Sequence, residues 1–142
     1  MITKSGHAQW EGDLKTGEGH ISTESQAIKD LPYGFNKRFE GDAGTNPEEL
    51  IGAAHAACFC MASSKILGDA GITADYVTAE SQVTLEQKDG GFAITKVHLV
   101  VKAKAEGQDE AKVKECLSNA KDGCPVSKLL NAEISIEMEI TV

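Results

Sequence analysis

The sequence predicts an α+β fold on three observations. Residues 2–40 break into short runs punctuated by Gly12, Gly17, Gly19 and Gly34, the pattern of strands joined by tight turns. Thr45 to Glu49 forms a strong helix start. It opens an uncharged stretch, Leu50 to Ala62, that is apolar or small nearly all round. Beyond it, period-two alternation returns on both sides of a second helical stripe.

The elements follow in order. Gly19 to Glu24 and Tyr33 to Glu40 read as strands. In the latter, Tyr33, Phe35, Lys37 and Phe39 share one face and Asn36, Arg38 and Glu40 the other, so Arg38 is expected to project from a strand opposite the aromatic rings. Asn46 can cap the first helix, Pro47 suits its first position, and Glu48 and Glu49 meet the positive end of its dipole. That helix is expected to run to about Gly68–Gly71. A chain this small can hardly wrap it on all sides, so its surplus apolar surface points to an identical partner subunit.

Ile72 to Val83 reads as extended, and Val83 to Gln87 alternates. Asp89-Gly90-Gly91 is a hairpin turn, and Phe92 to Lys104 returns as a long strand. Gln108 to Asp122 carries a helical stripe of Ala111, Val113, Cys116, Leu117 and Ala120. Pro125 to Leu130 is a short helix, and Ala132 to Val142 closes as a strand alternating Ile134, Ile136, Met138 and Ile140. The order is βββ-α-ββ-α-α-β, one domain over residues 1–142 with no repeat or linker.

Composition narrows the function. A net charge of -8, with no run of Lys or Arg, argues against nucleic acid or an anionic membrane as partner. The longest apolar run, 13 residues, falls short of the roughly 17–25 needed to span a bilayer. Met1 to His7 does not resemble a secretory signal, so the expected location is the cytoplasm. There the four cysteines are expected to be reduced, and any disulfide transient. Aromatic residues make up only 5%, which leaves the core to Val, Ile, Leu and Ala.

Two cysteines stand out. Cys58 lies within the apolar helix, and Cys124 sits in Gly123-Cys124-Pro125, a rigid turn where a short helix begins. One thiol in an apolar wall and a second at a turn is the layout of a pair that cycles through a disulfide. The competing reading makes Cys58 an inert core residue on the stripe Ile51, Ala54, Cys58, Met61. Cys58 is about three turns into its helix, where the dipole has faded, and an apolar site raises a thiol's pKa. A nucleophilic Cys58 therefore needs a cation from another element, and Arg38 is the candidate. Glu48 lies about 15 Å along the same helix axis and cannot serve its own Cys58. Two such helices packed antiparallel about Gly52-Ala53-Ala54 would bring Glu48 of one chain near Cys58 of the other.

Cys116 and Cys60 read as packing residues. A metal site at His55-x-x-Cys58-x-Cys60 is disfavoured, because only His55 and Cys58 share a helix face and no further ligand pair is present. A non-catalytic module holding an apolar ligand, or a thiol redox sensor, are the rival function classes.

Tyr33-Gly34-Phe35-Asn36-Lys37-Arg38-Phe39-Glu40-Gly41, then Gly44 through Ala54-His55-Ala56-Ala57-Cys58-Phe59, and later Gly123-Cys124-Pro125-Val126-Ser127, closely resemble the OsmC/Ohr family. These are the osmotically inducible and organic hydroperoxide resistance proteins. The likeness covers essentially the whole chain, from His7 to the terminal strand. His55, where the Ohr branch typically has tyrosine, resembles the OsmC branch. The resemblance implies an OsmC-like fold, with antiparallel sheets wrapped around buried central helices in an intertwined homodimer. It implies a thiol peroxidase acting on organic hydroperoxides, with no bound cofactor and no metal. Cys58 matches the peroxidatic cysteine, Cys124 the resolving one, Arg38 the arginine that stabilises the thiolate and Glu48 the glutamate that holds the arginine. An external dithiol, on family resemblance the dihydrolipoyl groups of lipoylated proteins, would be the reductant. Cys60 departs from the family's usual small residue.

Overall fold

A computed structural model describes residues 1–39 and 43–142 of the chain. They form two compact units, Met1–Leu50 and Ile51–Val142.

The first unit holds an antiparallel sheet of β1 (Gly6–Glu11), β2 (Glu18–Thr23) and β3 (Leu31–Tyr33), in that order. Gly19 pairs with Trp10 on one side and Tyr33 on the other. The two rings close over it with centroids 5.5 Å apart. A Cβ there would fall 2.3 Å from the Tyr33 ring, so the contact requires glycine.

The run after Tyr33 departs from the expected strand. Asn36–Arg38 is a single 3₁₀ turn, with Phe35 already in the right-handed helical region. At three residues per turn, positions 35 and 38 come to the same side. Arg38 therefore lies over the Phe35 ring, 6.0 Å from its centroid, and not on the opposite face. Glu40, the last residue of the expected run, lies outside the described residues.

Helix α1 (Pro47–Asp69) starts as its sequence dictates: the Asn46 side-chain oxygen accepts from the Glu49 amide at 2.9 Å. Its buried residues are Gly52, His55, Phe59, Ser63 and Leu67, a stripe at three- and four-residue spacing. The stripe expected from sequence lies elsewhere. Cys58 is half-buried, Ala54 is exposed and Met61 is 76% exposed. Gly52 is the reason. A Cβ on it would come 2.8 Å from the Ser81 carbonyl oxygen, so α1 rests its narrowest face on the neighbouring strand. By length and composition α1 could cross a membrane, with a mean hydropathy of 1.5. Its buried His55, hydrogen-bonded on both sides, instead ties it to the rest of the second unit.

The second sheet runs β4-β5-β6. β4 (Tyr76–Lys88) and β5 (Gly91–Lys104) form the expected hairpin, with Asp89 and Gly90 both at positive φ in the turn. β6 (Glu133–Thr141) pairs with β5 in parallel, from Lys96 with Glu133 to Lys104 with Thr141. The expectation of antiparallel sheets is corrected for this pair. The chain leaves β5 through α2 (Glu110–Gly123) and α3 (Pro125–Leu129), and such a crossover returns it parallel. Asp109 caps α2 by accepting from the Ala111 amide at 3.0 Å. The core joins Phe59 and Leu67 of α1, Leu99, Val101 and Ala103 of β5, and Val113, Leu117 and Ala120 of α2.

Candidate active site

In the second unit, the turn between α2 and α3 sets Cys124 against α1. The Cys124 amide donates to the Ala120 carbonyl at 3.0 Å, which ends α2, and Pro125 starts α3 one residue later. The Cys124 side chain is fully buried, and it and the Cys58 thiol stand near enough for each to shift the other's proton affinity. Burial first, then Cys124, push the Cys58 thiol above the ordinary range, against a smaller pull from the Val126 amide. Burial also acts to raise Cys124. There it is outweighed by hydrogen bonds from Cys58, from the amide and hydroxyl of Ser127 and from the Val126 amide, so Cys124 is lowered.

Behind Cys124 lies a buried histidine. His55 Nδ1 is 2.9 Å from Ser81 Oγ on β4, and Nε2 is 2.8 Å from Ser127 Oγ on α3. Burial holds the imidazole below its ordinary pKa. With both nitrogens engaged by hydroxyls, His55 is not disposed to ligate a metal. Among the described residues, no group of three or more His, Cys, Asp or Glu could hold one. Cys60 is half-buried and donates to the Val77 carbonyl at 3.5 Å, and Cys116 is buried in the core. All four cysteines are free thiols.

In the first unit, the 3₁₀ turn delivers Arg38 to the first turn of α1. Arg38 Nε donates to Glu48 Oε2 at 2.9 Å, with both side chains largely withdrawn from solvent. Beside this pair opens an apolar pocket of about 250 Å³, lined by Trp10, Leu14, Tyr33, Phe35, Arg38 and Pro47.

A family model described as OsmC-like protein matches residues 39–139. The chain belongs to the OsmC-like family. It is 51% identical over 139 residues to Peroxiredoxin OsmC of Escherichia coli (strain K12), covering 98% of this chain and 97% of that protein. To the organic hydroperoxide resistance protein OhrB of Bacillus subtilis (strain 168) it is 35% identical over 124 residues, covering 86% and 88%. The crystal structure of that OhrB matches with a TM-score of 0.75 at 31% identity, over 95% of this chain and 98% of the other. An OsmC crystal structure from Legionella pneumophila, 24% identical with a TM-score of 0.72 over 100% and 98% of the chains, bears on the fold alone. The fold is OsmC-like α+β, and the chain is a cysteine-based peroxidase.

Of the site residues marked in this OsmC-like sequence, the structure brings together Cys58 with Cys124 and Arg38 with Glu48. Sequence reasoning missed the aromatic pocket. A signal existed: the single Trp, one of two Tyr and two of four Phe fall before residue 40. It also missed the hydrogen bonds of His55, which no periodicity encodes.

Proposed function

We propose that this peroxidase reduces organic hydroperoxides to alcohols through a Cys58 sulfenic acid and a Cys58–Cys124 disulfide. The Cys58 thiolate attacks the distal peroxide oxygen. An S–O bond forms, the O–O bond breaks, and the alkoxide takes a proton and leaves as alcohol. Cys124 then displaces hydroxide from the sulfenic acid, giving the disulfide and water. A dithiol reductant, with dihydrolipoyl groups of lipoylated proteins as the proposed source, returns both thiols by exchange. The observation that carries this reading is that two free thiols far apart in sequence come close enough to shift each other's proton affinity.

A raised thiol is a weak nucleophile at neutral pH, so Cys58 needs a cation. We assign this role to Arg38, oriented by Glu48, contributed by the partner subunit of an intertwined homodimer. Support comes from α1. Ala53, Ala54, Ala57 and Met61 are exposed on a helix apolar enough to need cover, and Ala53 is midway between Glu48 and Cys58. Gly52, one of the small residues expected at this crossing, is taken up by β4, so the crossing falls to the alanines. The alkyl group of the substrate would occupy the pocket beside Arg38, where burial favours organic over hydrogen peroxide. The family model, over residues 39–139, spans the division between the two units, which supports a single OsmC-like domain. The cytoplasm, with its dithiol reductants, suits the cycle.

Steady-state consumption of cumene hydroperoxide with dihydrolipoamide tests the proposal. Cys58→Ser is expected to abolish it. Cys124→Ser is expected to allow one oxidation per subunit and then stall, read by mass spectrometry as sulfenic and then sulfinic acid. Full activity in Cys58→Ser would end the proposal. Oxidation of the wild type without turnover would make the protein a redox sensor.

A further inference from the structure

His55 is fully buried in the middle of α1, and both ring nitrogens are spent on serine hydroxyls. A core histidine in this position costs stability at acid pH, and packing alone would be served by an apolar residue. The serine on its Nε2 side is itself buried, stands in the first turn of α3 that Cys124 opens, and is among the groups that lower the Cys124 thiol. Hydrogen bonds join Ser81, His55 and Ser127 in one file, and Cys124 stands at its end.

Resting on the disulfide cycle above, we infer that His55 and Ser127 are positioning residues for the resolving step, a hydrogen-bond wire whose direction follows the protonation of Cys124. Proton counting fixes the two states. Ser127 has a single O–H, and a neutral imidazole has one N–H and one lone pair. When Cys124 is a thiol, its S–H donates to Ser127 Oγ, Ser127 donates to His55 Nε2, and Nδ1–H donates to Ser81. When Cys124 is a thiolate, each bond reverses. Ser81 donates to Nδ1, Nε2–H donates to Ser127, and Ser127 donates to the anionic sulfur. The imidazole changes tautomer and gains no net charge.

The groups that face His55 are Ser81 from β4 and Ser127 from α3. Those that face Cys124 are Cys58 from α1, with Val126 and Ser127 from α3. Of these only the two thiols titrate, so the wire answers to the sulfurs. It serves the step after peroxide reduction. Cys124 gives up its proton and attacks the Cys58 sulfenic sulfur. The S–S bond forms, the S–O bond breaks with its electron pair on hydroxide, and the hydroxide takes up the released proton to leave as water. A buried thiolate is costly without donors, and the wire supplies one at the required moment.

Ser127→Ala removes the donor, and Ser127→Thr restores a hydroxyl. In a Cys58→Ser background, which isolates Cys124 from peroxide chemistry, peptide-resolved alkylation against pH is expected to show the Cys124 midpoint about one pH unit higher in Ser127→Ala. It should lie near the parent value in Ser127→Thr. With Cys58 present, disulfide closure after one equivalent of hydroperoxide is expected to slow about tenfold in Ser127→Ala, while formation of the sulfenic acid keeps its rate. Superimposable alkylation profiles in folded parent and Ser127→Ala proteins would overturn the wire and leave the peroxidase reading intact. Absence of turnover in the wild type would strike the peroxidase reading instead. Should Ser127→Ala fail to fold, ring ¹⁵N shifts of His55 in the unmutated protein decide. An exchange of tautomers as Cys124 ionises supports the wire, and unchanged shifts overturn it.

Discussion

Of the candidate site residues, those in the first unit, Arg38 and Glu48, bring charge, and those in the second, Cys58 and Cys124, bring sulfur. Arg38 and Glu48 hold each other at 2.9 Å beside an aromatic pocket. Cys58 and Cys124 hold each other among neutral dipoles, the amides of Val126 and Ser127 and the Ser127 hydroxyl. The difference shows that burying a thiol does not make it a nucleophile. Burial lifts Cys58, and hydrogen bonding at the start of α3 lowers Cys124, the sulfur that the proposed cycle uses second. A guanidinium presented to Cys58 would lower that thiol. In the proposed cycle, the groups that lower Cys124 then suit it for the second step.

The largest effect is expected from removing the charge. Arg38→Ala should lower peroxidase kcat/KM by about tenfold or more, one pKa unit being a tenfold change in thiolate fraction below the pKa. It should slow Cys58 alkylation at pH 7 to match, while Cys124 alkylation in a Cys58→Ser background is unaffected. Equal alkylation of Cys58 with and without Arg38 would break the comparison.

A stability change confined to the second unit comes next. Gly52→Ala places a methyl group 2.8 Å from the Ser81 carbonyl oxygen, and that backbone atom belongs to the strand that also supports His55. It is expected to cost about 1–3 kcal/mol in urea unfolding. An unchanged midpoint would show that α1 and β4 approach less closely.

The smallest effect is a pH dependence. His55 is held below its ordinary value of 6.5 by burial, so the folded protein refuses a proton that the unfolded chain binds. Its contribution to stability is fully present above about pH 6.5 and is lost as pH falls toward the folded value. The slope approaches about 1.4 kcal/mol per pH unit between the two. His55→Gln should flatten that part of the curve, measured by denaturant unfolding from pH 7.5 to 5. An unaltered slope would mean that His55 protonates in place.

Much of this was legible in the sequence because local chemistry wrote it. Asn46, Pro47 and the two glutamates announce the start of α1, Asp89-Gly90 announces the hairpin, and the alternation in β4 and β6 survives folding. What escaped was set by three-dimensional choices. Alternation suggested a strand from Tyr33 to Glu40, but Phe35 enters a 3₁₀ turn and brings Arg38 onto its own ring. Periodicity could not choose which face of an all-apolar helix would pack, and the missing side chain of Gly52 decided it. The parallel seating of β6 followed from the crossover through α2 and α3. Cys58 and Cys124 could be named from motif and turn chemistry, whereas the hydrogen bonds that join Ser81, His55 and Ser127 link three elements and have no signature along the chain.

The central claim is that one subunit's charge activates the other's sulfur, and mixed dimers test it most directly. Arg38→Ala and Cys58→Ser proteins, each impaired alone, are unfolded together and refolded as an equimolar mixture. If Arg38 acts across the interface, half of the dimers are mixed and each mixed dimer regains one intact site. Hydroperoxide turnover should then recover to about a quarter of the wild-type rate. A mixture no more active than the mean of its two parents, with mixed dimers verified by mass spectrometry, would contradict the account.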